Sequence, residues 1–290
     1  VRKRRTMMRI KGVDLSYCQE GISFPALKQA GVKFAIIRAG FSTKKDVTMD
    51  RFVADCKKYG IAYGFYWYSY AMSVKQAESE AEKCVDVIKG LSPTYPVFFD
   101  MEEKKQISSL NTDTRTKMAI AFCEKIRQAG FKTGIYANPS FMEHYYDKSR
   151  IIGKYDIWLA HWTNSPDCPS RYDYGQTMWQ WGVDKIGGYD VDGDICFTDY
   201  SSKTVDELAD EVLAGKWDNG AERERLLTAA GYDYNAVQKR INEKLYRKTV
   251  DEIANEVIAG LWGNGTERKE KLTEAGYDYS AVQKRVNEML

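Results

Sequence analysis

The chain has 290 residues, 43% of them apolar and 29% charged, with a formal net charge of +2. These totals describe a globular chain with room for one large domain and one or two small ones, and they exclude a largely disordered polypeptide. No apolar run is long enough to span a membrane. The opening "VRKRR" places Arg2, Lys3, Arg4 and Arg5 together, so residues 1–8 are expected to be an exposed basic tail. A start-site artefact is the favoured explanation, with Met7 and Met8 as alternative starts. No apolar segment of the kind that follows in a secretory signal is present.

Eight apolar, aromatic strands are predicted in chain order, at about 9–15, 33–40, 61–70, 95–102, 131–137, 156–162, 176–182 and 190–198. Helical patterns separate the early ones. The segment Ser73–Lys89 opens with the capping-box spacing of Ser73 and Gln76 and puts Ala77, Ala81, Cys84, Val85 and Ile88 on one face. Residues 112–129 do the same with Met118, Ala121, Phe122 and Ile126. "KQAGVKF", "KKYGIAY" and "RQAGFKT" each read as a helix end, a Gly cap and the next strand. Alternating β and α elements predict parallel strands with helical crossovers, and eight strands in about 200 residues favour a closed barrel that loses its helices toward the end.

From Lys203 strand signals stop and a repeat begins. "KTVDELADEVLAGKWDNG…" from Lys203 and "KTVDEIANEVIAGLWGNG…" from Lys248 match at roughly 30 of 43 aligned positions. Each opens with a capping box, Thr204 to Glu207 and Thr249 to Glu252, and the first continues with the apolar stripe Val205, Leu208, Ala209, Val212. Each is expected to fold as a three-helix bundle. Each carries more acidic than basic residues, which argues against nucleic acid as a partner.

Function in a (β/α) barrel collects at the C-terminal strand ends. Asp14 ends the first strand, and Asp100 and Glu102 end the fourth. Tyr136 ends the fifth, Trp162 follows the sixth and Trp181 ends the seventh. Asp190, Asp192 and Asp194 crowd the eighth. Alternation places Asp100 and Glu102 on one face, about 7 Å apart, with Glu103 turned away toward the surface. Clustered carboxyls raise one another's cost of ionising, so the least solvated can hold a proton near neutral pH. A protonated carboxyl beside ionised ones is what glycosidic cleavage needs. A carboxylate metal site and a plain acidic strand end are the alternatives. Tyr66, Tyr68, Tyr136, Trp162 and Trp181 could line a groove for sugar rings. Two histidines, His144 and His161, and six cysteines without a CxxC pair make a His triad or a zinc site improbable.

"KGVDLSYCQ", "YPVFFDME", "GIYANPSF", "WLAHW", "MWQWG" and "VDGDICF" together resemble the glycoside hydrolase family 25 lysozymes of the Chalaropsis type, over roughly residues 8–200. The resemblance implies a barrel of five β/α units and three further strands. It also implies an N-acetylmuramidase that cleaves the β-1,4 bond between N-acetylmuramic acid and N-acetylglucosamine with net retention. It makes Glu102 the proton donor and matches Asp100, Asp14 and Asp192 to the other acidic positions. A covalent glycosyl-enzyme and an oxazoline intermediate both stay open. "RAGFS" at 38–42 departs from the family's K-x-[ST]-E-G segment, and Gly193 stands where an apolar residue usually follows the eighth-strand Asp.

The two repeats resemble choline-independent cell-wall-binding repeats of phage lysozymes. Trp217 and Trp262 are expected mainly as core, and Arg223 and Arg268 as the better contact candidates. The resulting expectation is a hydrolase domain at 9–201 with wall-binding repeats at 203–246 and 248–290. Bacterial peptidoglycan is its partner, no cofactor or metal is needed, it does not insert into membranes, and it acts as a monomer. It works outside the cell and is released by a phage through a holin. A barrel that has lost activity and serves only wall binding is one rival. A chitinase-like barrel hydrolase is the other, although "FFDME" lacks that family's longer acidic run.

Overall fold

The computed structural model describes residues 8–200, 203–230, 232–246, 248–275 and 277–290. The expected basic tail, apart from its last residue, lies outside the described residues. The chain divides into two compact units, the first ending at residue 202 and the second beginning at residue 203.

The first unit is built on β1 (Ile10–Leu15), α1 (Phe24–Gln29), β2 (Phe34–Phe41), β3 (Lys44–Lys45), α2 (Met49–Tyr59), β4 (Ala62–Tyr68), α3 (Val74–Ile88), β5 (Val97–Asp100), α4 (Lys104–Ser109), α5 (Thr112–Gln128), β6 (Thr133–Ala137), β7 (Asp156–Ala160), β8 (Met178–Ile186) and β9 (Tyr189–Cys196). The strands run β1-β2-β4-β5-β6-β7-β8-β9 and close where β9 pairs with β1, which makes an eight-stranded barrel. Neighbours from β1 to β8 are parallel. β9 is antiparallel to both its partners, because only a two-residue turn at Gly187 and Gly188 separates it from β8. β3 is a short antiparallel extension of β2 outside the ring.

Period-two alternation sorts each strand's side chains. Phe34, Ile36, Phe98, Trp158, Met178 and Cys196 fill the barrel interior. Small residues make room for them: a Cβ on Gly12 would lie 2.1 Å from the Phe34 ring, and one on Gly134 would lie 2.6 Å from Phe98. The opposite parity, including Val13, Leu15, Ile37, Phe65, Trp67, Val97, Phe99, Ile135 and Leu159, packs against the apolar faces of α1, α2, α3 and α5. Gly60 closes α2 at φ 66° and hands the chain to β4, as the Gly caps predict. Ser73 caps α3 by accepting from Gln76 N. The Gln76 side chain, however, reaches one residue further out to Met72 N at 2.6 Å rather than back to Ser73. Between β6 and β7 the crossover shrinks to a π-helical turn at Phe141–Tyr145.

Glu80 on α3 is buried. It accepts Tyr70 N at 3.0 Å through Oε1, while Oε2 receives no donor. Burial pushes its carboxyl up to about 7. The unfolded chain loses this proton near the ordinary value, while the folded one keeps it to about 7. The stabilising contribution is therefore full at low pH and is lost as pH rises to about 7. Glu80→Gln is expected to raise unfolding free energy by about 2 kcal/mol at pH 8 and to leave it nearly unchanged at pH 4.5, as read by chemical denaturation.

The second unit contains α6 (Val205–Leu213), α7 (Gly220–Ala229), α8 (Tyr234–Tyr246), α9 (Val250–Ile258), α10 (Gly265–Glu274) and α11 (Tyr279–Met289). Both capping boxes form as the sequence requires. Leu208, Ala209, Val212, Leu227, Val237 and Ile241 make one core. Their repeat equivalents Ile253, Ala254, Val257, Leu272, Val282 and Val286 make the other. Val205 does not join the stripe; it is exposed in the first turn of α6.

Candidate active site

At the C-terminal end of the barrel a cavity of about 160 Å³ is lined by Asp14, Arg38, Tyr66, Tyr68, Asp100, Glu102, Tyr136, Trp158, Gln180 and Asp192. Larger hollows of about 380 and 620 Å³ elsewhere on this unit carry one acidic residue each. The four acids come from three strands by simple parity. Asp14 lies opposite Asp192 across the β1–β9 pair. Asp100 is the last residue of β5, and Glu102 follows two residues on, so both face inward.

Asp14 and Asp100 are almost wholly buried, whereas Glu102 and Asp192 are half-buried and open on the cavity. Burial raises the Asp14 and Asp100 carboxyls well above the usual aspartate range. Repulsion from Asp192 and Glu102 adds to this at Asp14, and repulsion from Glu102 and Asp14 adds to it at Asp100. Burial is also the first cause at Glu102, followed by the charges of Asp192 and Glu103. Asp192 is raised by burial. All four therefore hold protons to higher pH than free carboxyls do.

Gln180 joins the walls together. Its Nε2 donates to Asp14 Oδ2 at 2.9 Å, and its Oε1 accepts from Tyr136 OH at 3.1 Å and from Trp162 Nε1 at 2.9 Å. Trp162 is otherwise on the rim, 52% exposed. Tyr66 and Tyr136 both pack edge-on against Trp158. Arg38 is fixed by Asp46 through Nε at 2.7 Å and stacks on Tyr17 and Phe41. The expectations for Glu103 and Trp181 need correction. Glu103 is half-buried, caps α4 and accepts Tyr68 OH at 3.0 Å. Trp181 does not line the cavity; it is buried with Trp179 and Ile195 on the other side of the β8–β9 pair.

Sequence reasoning passed over Gln180, Arg38 and Trp158. In "MWQWG" and "IIRAG" the signal was a polar residue set at inward parity within an apolar strand. Of the three crowded aspartates, Asp190 is exposed beside Lys185, Asp192 lines the cavity and Asp194 is wholly buried. Among the described residues no group of three or more His, Cys, Asp or Glu side chains has the arrangement of a metal site.

The family model of the glycosyl hydrolases family 25 matches residues 13–186, and that of the CW_7 repeat matches residues 206–245 and 251–290. The chain belongs to glycosyl hydrolases family 25. The lysozyme of Streptococcus phage Cp-7 is 30% identical over 230 residues, which is 75% of this chain and 65% of that protein. A probable family 25 lysozyme of Dictyostelium discoideum is 26% identical, over 64% of this chain and 86% of its own length. The catalytic domain of the endolysin ply40, from bacteriophage P40 of Listeria monocytogenes, superposes with a TM-score of 0.55 at 26% identity, covering 67% of this chain and 95% of that one. The autolysin LytC of Streptococcus pneumoniae, solved with a synthetic peptidoglycan ligand, shares the fold with a TM-score of 0.55 at 24% identity, over 64% of this chain and 46% of that one. The chain thus spans less than two thirds of the Cp-7 lysozyme and under half of LytC.

In this family 25 chain the glycine after Asp192 has a physical reason. A Cβ on Gly193 would lie 2.6 Å from the Trp181 indole, so the ring occupies the space a side chain would need. The CW_7 repeats hold their candidate residues in duplicate settings. Trp217 and Trp262 are half-buried against the two cores and donate through Nε1 to Glu211 and Glu256. Arg223 donates to Asp218 O, Asn219 Oδ1 and Gln238 Oε1, and Arg268 to Gly263 O, Asn264 Oδ1 and Gln283 Oε1. Each guanidinium thereby ties the start of one helix to the next.

Proposed function

We propose that the barrel unit, residues 9–201, is a muramidase that hydrolyses the β-1,4 bond between N-acetylmuramic acid and N-acetylglucosamine in bacterial peptidoglycan. The observation that carries this reading is the convergence of Asp14, Asp100, Glu102 and Asp192 on one cavity walled by Tyr66, Tyr68, Tyr136 and Trp158. Glu102 is the general acid. It is open to the cavity yet raised in pKa, so it keeps a proton to hand to the leaving glycosidic oxygen. Negative charge on Asp14 and Asp192 stabilises the positive charge that develops on the sugar ring, and the charge of Asp192 also raises the proton affinity of Glu102, while Asp100 lies on the same inward face of β5. After the leaving sugar departs with the proton of Glu102, water bonds through its oxygen to the anomeric carbon and gives one proton back to Glu102. We read the barrel as five β/α units and three further strands, the fifth helix being reduced to the turn at Phe141–Tyr145.

Membership of family 25 supports a glycosidase, and the phage Cp-7 relative is named a lysozyme. We infer that the repeats, 203–246 and 248–290, hold the enzyme on the wall, with Trp217, Arg223, Trp262 and Arg268 as candidate contacts, and that it works at the bacterial cell wall outside the membrane. No described helix is long and apolar enough to cross a membrane. Mass spectrometry of digested sacculi tests the reading. New reducing ends on muramic acid are expected, and ends on glucosamine or free stem peptides would overturn it.

A further inference from the structure

One acidic residue at this end of the barrel has no part in the mechanism above. Asp194 points inward from β9, two residues past Asp192, and is 0% exposed. Its Oδ1 accepts Trp158 Nε1 at 2.7 Å. Its Oδ2 receives no N–H or O–H from any other described group. Asp194 stands opposite Gly12, two residues before Asp14 on the neighbouring strand, so both carboxyls face the barrel interior from adjacent strands, close enough for each to act on the other's proton.

Two carboxylates in contact in a dry interior repel strongly, whereas one shared proton turns the contact into a charge-assisted O–H···O⁻ bond. The surroundings decide which partner keeps the proton. Asp14 lies at the cavity and already accepts the Gln180 amide. Asp194 is shut off from solvent and has a single indole donor. The ion is therefore better placed on Asp14 and the proton on Asp194.

We propose that Asp194 is a positioning residue for the reaction assigned above: as a neutral acid it donates from Oδ2 to Asp14, fixing that carboxylate in the cavity wall with its charge available to the sugar. Asp14 then holds two donors, Gln180 from β8 and Asp194 from β9, which set the orientation of its carboxylate plane. Trp158 accounts for the other oxygen of Asp194 and links the pair to the ring stack of Tyr66 and Tyr136. Burial and the neighbouring charge of Asp14, with that of Asp192 adding to it, favour the neutral form of Asp194.

The full-length chain carrying Asp194→Asn or Asp194→Ala tests this. The Asn amide can donate to Asp14 and accept from Trp158 without charge, so kcat on solubilised peptidoglycan is expected within about threefold of wild type. Asp194→Ala removes the donor, and kcat is expected to fall about a hundredfold with KM little changed. An infrared difference spectrum at neutral pH, wild type minus Asp194→Asn, is expected to show the C=O band of a protonated carboxylic acid. That band does not depend on turnover. If sacculus digestion yields no muramic acid ends but the band is present, the assigned activity fails and the proton on Asp194 stands. Loss of activity or of folding in Asp194→Asn overturns the proposal, since either shows that a charged carboxylate is needed. Wild-type kcat in a folded Asp194→Ala overturns it as well. If Ala does not fold, the Asn variant and the band decide.

Discussion

Glu102→Gln is expected to lower kcat on cell walls by about three orders of magnitude or more, with fold and wall attachment intact. The amide has the shape of the carboxyl but no proton acidic enough for the leaving oxygen. No neighbour can take over. Asp100 lies in the cavity floor with only 4% of its surface exposed. Glu103 is held away by Tyr68 OH and by its capping of α4. Clearing of a wall suspension measures turnover, circular dichroism the fold, and sedimentation with sacculi the attachment. A variant with near-normal clearing would sink the assignment of the acid.

The same carboxyl sets a pH limit and a stability cost. As the proposed acid Glu102 must be protonated to act, and burial with the charges of Asp192 and Glu103 raises its pKa, so wild-type activity is expected to persist above the usual carboxyl range and to fall as pH rises through the raised value. A raised folded-state pKa contributes stability below the unfolded value and loses it on the way up. At neutral pH the Gln variant should therefore be at least as stable as wild type. Inactivity in it would then reflect chemistry and not unfolding, the trade between function and stability expected of a crowded charged site.

Much of this was legible in the chain because strand parity is a hard rule. Asp100 faces inward, so Glu102 two residues on goes the same way, and the same parity turns Asp14 and Asp192 inward from β1 and β9 across the barrel. The Gly caps marked the starts of β2, β4 and β6 because positive φ there needs no tertiary information. Parity, applied one residue further, also shows where the aromatic reading failed. With Gln180 inward, Trp181 must face out, and a register shift between Gln180 and Gly182 seats its ring over Gly193. The helix α4, "KKQISS", has no apolar period to reveal it. It depends on Gln106, whose Nε2 reaches Ser69 O and Ala71 O from a distant loop. Glu103 looked like a surface residue for the same reason, since its partners Tyr68 and Gln106 come together only in the folded barrel. The Gln180 hub spans β1, β6 and the segment after β7, and no local pattern encodes a bond across 166 residues.

Ending the chain after Ser202 is expected to leave a folded barrel that still cleaves short soluble glycan fragments but has lost most of its hold on sacculi. The barrel closes within residues 10–196 by pairing among its own strands. Each repeat has its own core, capping box and arginine clamp, so each can present one binding surface. Once one repeat is bound to a repetitive polymer, the second meets its site at high effective concentration. Two weak contacts together then exceed either alone by about a hundredfold or more. A chain ending after Tyr246, with one repeat, should therefore fall far below the midpoint between full-length and truncated protein in co-sedimentation, while its rate on soluble fragments matches both. Such a curve would separate attachment from chemistry. Equal co-sedimentation of all three chains would remove the binding role from the repeats and leave their duplicated cores without that explanation.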